Sequence, residues 1–105
     1  MTKINIGIDN AGVVCSPNNG HFRGRESAKL QWASSHRFTL HFALLTGKGR
    51  RDWPFKEPAA PVAGVQDFEG TLALADPKDP PVYKYTVVID GYAPLDPVII
   101  VDGGH

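Results

Sequence analysis

An all-β fold, an antiparallel sandwich of about seven short strands in one domain over residues 1–105, is what this sequence predicts, and three observations predict it. Apolar residues recur at every second position in most segments. Gly, Pro, Asn and Asp punctuate the chain at short intervals, as turns require. No stretch carries a helical 3.6-residue period for longer than about two turns.

The elements follow in order. Ile4, Ile6 and Ile8 alternate with Asn5 and Gly7, the mark of a strand with one buried face. Asp9-Asn10-Ala11-Gly12 reads as a turn, and Val13, Val14 and Cys15 form a second short strand that stops at Ser16-Pro17. Asn18-Asn19-Gly20 is another turn, and the polar stretch 21–26 reads as a loop. Ala28, Leu30 and Trp32 share a face; beyond Ser34-Ser35, so do Phe38, Leu40, Phe42 and Leu44, and these two sets read as antiparallel neighbours. Residues 46–62 hold Gly47, Gly49, Pro54, Pro58 and Pro61 and read as a long loop. Phe68, Leu72 and Leu74 resume even spacing, with Gly70 at a bulge. A stiff turn over 76–81 leads to VYKYTVVI, 82–89, a central strand with Tyr83, Tyr85, Val87 and Ile89 on one side. After a loop containing Gly91, Pro94 and Pro97, residues 98–101 close the chain as a last strand.

Composition narrows the function. Eleven Lys plus Arg balance eleven Asp plus Glu, so no long-range field draws nucleic acid or an anionic membrane. With a single Cys, no intramolecular disulfide forms, and the domain must be held by packing. Residues 1–15 alternate in polarity and lack the continuous apolar run of a signal peptide or a membrane span; the expected location is the cytoplasm.

The order of the pieces carries a resemblance. A strand ending in Lys29-Leu30-Gln31-Trp32 is followed by Ser34-Ser35-His36 and an alternating apolar strand, and 83–89 and 98–101 stand as the last two strands. This arrangement resembles the cupredoxins, and more generally Greek-key sandwiches, including immunoglobulin-like ones. The resemblance implies a Greek-key β-sandwich with a metal loop between the last two strands. Here that loop, 88–96, contains no Cys, His or Met, and the only Met is Met1. A blue-copper centre needs a thiolate, two imidazoles and a weak axial ligand, so electron transfer through copper is not expected, and neither is any cofactor.

Other chemistry finds little support. His21, His36 and Cys15 are the weak candidates for a zinc or copper site, the basis of an alternative reading as a small metal-binding protein using His36 and His21. Their spacing matches no zinc pattern, and His41 lies opposite Phe38, Leu40 and Phe42, away from the core. A minimal hydrolase is the remaining alternative. Ser34-Ser35-His36 supplies the residue types, but adjacent turn residues do not line up as a relay, and no nucleophile elbow is present. No catalytic residue is expected, and the chain does not read as an enzyme. Trp32 is expected in the core beside Leu30, with Tyr83 and Tyr85.

The loop over 46–62 is the expected contact surface. Lys48, Arg50 and Arg51 stand beside Trp53 and Phe55, a mixture of charge and large aromatic area found at binding hot spots. It lacks the order of a phosphate-binding loop. The reading is thus a non-catalytic binding or assembly module, with a protein partner and no nucleic acid or membrane. Self-association through short, Val-rich terminal strands is the other partner expectation.

Overall fold

The computed structural model describes residues 1–48, 52–73 and 76–102. It is all-β, with the strands β1 (Thr2–Asp9), β2 (Gly12–Ser16), β3 (Phe22–Arg25), β4 (Lys29–Thr46), β5 (Val62–Thr71), β6 (Val82–Val88) and β7 (Val98–Asp102). The only helical turn among the described residues is a 3-10 turn at Asn18–Gly20. The strands form one curled sheet in the order β2-β1-β4-β6-β7-β3, with β5 on the other edge of β4.

The sheet is mixed, which corrects the purely antiparallel expectation. β1 runs parallel to β4 and β3 runs parallel to β7, while the other pairs are antiparallel. A second correction explains the first. The two alternating sets around Trp32 and Phe42 are one strand of 18 residues, not a hairpin. Ser34 and Ser35 look like a turn in sequence, but the Ser34 Oγ accepts the His36 N–H at 3.0 Å and the chain bends without reversing. On β5, Asp67 faces Ala33 and Val65 faces Phe38, so residues 34–37 form a bulge opposite Gln66. β5 follows one edge of β4 around this bend. Along the opposite edge β1 pairs with residues 30–33 and β6 with residues 39–46. From that shared seam one leaf runs out through β1 and β2, and the other through β6, β7 and β3.

β3 lies in a stretch that reads as a loop. Its faces do alternate, with Phe22 and Gly24 half-buried and Arg23 and Arg25 exposed, but the second apolar slot holds a glycine. A Cβ there would stand 2.5 Å from the Phe22 ring, so Phe22 supplies the missing cover. Pairing with β7 and the Arg23–Asp102 ion pair at 2.8 Å hold the strand in place.

These pairings also correct the edge argument. The terminal strands β1 and β7 are interior, flanked on both sides; the strands with a free edge are β2, β3 and β5. Among the described residues the terminal strands themselves therefore present no free edge.

The core lies between the leaves. Ile4, Ile6, Leu30, Trp32, Phe38, Leu40, Tyr83, Tyr85, Val87, Ile99 and Val101 are all buried in it. Tyr83, Tyr85, Val87 and Ile89 share the inner face of the β6 segment as their period of two requires. The Tyr85 hydroxyl donates to the Gly20 carbonyl, and burial pushes its pKa well above the ordinary phenol value, against a smaller opposing effect of the nearby Trp32 indole N–H. Gly20, at φ +83°, leaves room for that hydroxyl, which would lie 2.7 Å from an added Cβ. Among the described residues no helix is long and apolar enough to cross a membrane.

Candidate functional site

The connection from β4 to β5 folds back onto the sheet. The Asp52 carboxylate Oδ1 accepts the Leu44 N–H at 2.9 Å, pinning the loop to the end of β4. Phe55 then bridges to Leu72, the Lys56 N–H donates to the Thr71 carbonyl at 2.7 Å, and the Ala73 N–H donates to the Pro54 carbonyl at 2.9 Å. These bonds run an extra short strand along the end of β5.

Side chains complete the attachment. Phe55 is 1% exposed and its ring lies over Gly70, where an added Cβ would meet it at 2.4 Å. Gly70 is therefore not a bulge. It pairs in register with Leu30, and its missing side chain is the space that Phe55 occupies. Phe55 meets Trp32 at 5.8 Å, Phe42 at 5.1 Å and Trp53 at 5.2 Å between ring centroids, all edge to face. Phe55 is thus buried in the core, where its ring fills the space over Gly70, and it forms part of the floor of a groove that Trp53 also lines.

Trp53 is half-buried. It stands edge to face against Phe42 at 5.4 Å and Phe68 at 6.1 Å, and its indole N–H donates to the Glu57 carbonyl at 2.7 Å. It lines a groove of about 750 Å3 together with Asp52, Phe55, Lys56, Glu57, Pro58 and Ala59. It also lines a smaller depression of about 240 Å3 that reaches Leu40, His41, Pro61 and Val62. Asp52 and Trp53 line both.

Of the basic set that the sequence suggests, Lys48 lies among the described residues. Lys48 turns to the 76–81 turn, donating its N–H to the Asp79 carbonyl at 3.0 Å and placing Nζ 3.9 Å from Asp76. Arg50 and Arg51 lie outside the described residues. The Glu57 Oε1 accepts the Thr71 N–H at 2.8 Å. Desolvation works to raise the Glu57 pKa, but the Thr71 hydrogen bonds, its own backbone N–H and the Lys29 charge outweigh it, so the carboxyl is held below its usual range. Lys56 is drawn aside by the Ser27 Oγ at 2.6 Å and by Glu26 at 3.9 Å.

The metal candidates are dispersed. Cys15 is buried, and burial pushes its thiol pKa up to about 11. His21 is exposed, with its Nδ1 accepting the Val98 N–H at 3.1 Å. His36 sits in the β4 bulge and lines a separate depression of about 340 Å3 with Arg37, Asp90 and Tyr92. Val98 pairs with Lys84, whereas His36 lies near Val88 and Ile89, about 13 Å further along β6 at 3.3 Å per residue. His41 is exposed on the outer face of β4. Among the described residues no group of three or more His, Cys, Asp or Glu side chains is arranged to hold a metal ion. The Ser34 hydroxyl, the hydrolase candidate, is bonded to backbone within the bulge.

Sequence reasoning missed Asp52 and Glu57. Carboxylates on an irregular segment carry no periodic signal, and these two gain a role only once the loop folds back. The spacing of Trp53 and Phe55 did hold a signal, since two aromatic residues at i and i+2 share a face of an extended segment. No protein-family model, no curated protein and no solved structure matches this chain.

Proposed function

We propose that this chain is a non-catalytic binding module that docks a protein partner through the groove at Trp53, on a Greek-key sandwich of cupredoxin-like or immunoglobulin-like type. The observation that carries the reading is the concavity at Trp53, a large aromatic ring held by its hydrogen bond to the Glu57 carbonyl and left half-buried. Partly open aromatic anchors of this kind are enriched at the centres of recognition surfaces. The sandwich assignment draws support from the adjacent antiparallel β6 and β7, and from His36 lying beside Ile89 and Asp90, where the connection between those strands begins. We place the module in the cytoplasm, where a lone buried thiol such as Cys15 stays reduced.

The test is selection of peptides from a randomised display library on the folded domain, followed by amide-shift mapping on the 15N-labelled chain. Selected peptides should shift the amides of residues 52–59 and lose binding in Trp53→Ala. Shifts confined to another face, or binding unchanged by Trp53→Ala, would sink the reading.

A further inference from the structure

The walls of the groove define the charge of its occupant. We propose that the Trp53 groove receives an extended partner segment bearing an Arg or Lys side chain; this rests on the reading of the groove as the binding face. Asp52 and Glu57 line the groove with Trp53; the Asp52 carboxylate accepts the Leu44 N–H, and the Glu57 carboxylate accepts the Thr71 N–H and feels the Lys29 charge. Among the described residues neither forms a salt bridge. The groove's own cation, Lys56, is turned toward Glu26 and Ser27. The Trp53 N–H is already spent on Glu57, so what the ring offers a ligand is its π surface, which attracts a cation.

Carboxylates beside an indole match a guanidinium or ammonium group and repel an acidic segment. A guanidinium fits best, because its plane stacks on the ring while its edge forks to a carboxylate. The segment is extended because the two depressions meet at Asp52 and Trp53, so a chain crossing the ring occupies both.

The experiment titrates the 15N-labelled full chain with three capped pentapeptides, Ala-Pro-X-Pro-Ala with X as Arg, Gln or Glu, at low and high salt. The Arg peptide should shift the amides of Asp52, Trp53 and Glu57 and bind about ten-fold more tightly than the Gln peptide, with the advantage shrinking in salt. Asp52→Asn with Glu57→Gln keeps both acceptor oxygens and should erase the advantage, while the fold, checked by its amide spectrum, stays intact. Equal binding of the Arg and Gln peptides would overturn the charge assignment and leave the groove reading standing. No shift at those amides with any peptide would overturn both.

Discussion

The connection between β4 and β5 and the connection between β6 and β7 both return to the sheet, yet by different means. The second is tied mainly through its backbone. Leu95 exchanges hydrogen bonds with Val87, the Tyr85 N–H donates to the Pro97 carbonyl at 2.9 Å, and the Val13 N–H donates to the Ala93 carbonyl at 2.9 Å. Tyr92 is left 46% exposed on top of it. The first also has backbone bonds, but it sends Phe55 and Trp53 into the aromatic cluster around Trp32. The first loop leaves hollows beside its rings. The second packs Leu95 and Pro97 inward and leaves Tyr92 projecting outward.

Substitutions test this contrast. The largest effect is expected of Phe55→Ala, which empties the space over Gly70 and detaches the first connection. It should cost about 3–5 kcal/mol in urea unfolding, similar to Trp32→Ala, whose ring is fully buried. A loss under about 1 kcal/mol would show that the loop is held by its backbone like its counterpart. Trp53→Ala, removing a half-buried ring with edge contacts to Phe42, Phe55 and Phe68, should cost about 1–3 kcal/mol, more than an exposed loop tip would allow.

Glu57→Gln probes the loop's polar attachment. A carboxyl held below its usual pKa in the folded state stabilises above the unfolded value, and that stabilisation disappears as pH falls through the folded value. The wild type should thus exceed Glu57→Gln by under about 1 kcal/mol near neutrality, and the gap should close as pH falls below the ordinary carboxylate range. A gap independent of pH would assign the effect to packing. The smallest change is expected of Tyr92→Ala, within about 0.5 kcal/mol, because the amides that hold its loop remain.

The thiol offers an independent reporter. Cys15, with its raised pKa and buried position, should react with a disulfide reagent at neutral pH only as fast as the protein opens. Labelling should be slow in the wild type and much faster in Phe55→Ala. Fast labelling of the wild type would contradict the packing of β2.

What was legible in the sequence was local. Ile4 to Ile8 and Tyr83 to Ile89 announced their strands because each buried side chain sits two residues from the next. Partnership was not legible. Nothing in Thr2 to Asn5 tells that their neighbours are Leu30 to Ala33 in parallel, since pairing across the chain is settled by how two leaves close over a core. β3 escaped notice because Gly24 holds an apolar slot without an apolar side chain, and β4 was divided because a bulge and a turn both favour Ser. For the site, the loop and its tryptophan were found from composition. The part played by Asp52 and Glu57 was not, because they reach the groove only through the bonds that fold the loop.

The unbroken course of β4 bears on how the molecule comes apart. Both leaves borrow the same backbone, so neither can melt while the other persists, and protection against amide exchange along Leu30 to Phe42 should be lost in a single cooperative step. A chain cleaved within the Ser34 to Arg37 kink would lose that common spine, and its two fragments would have to find each other before either could fold.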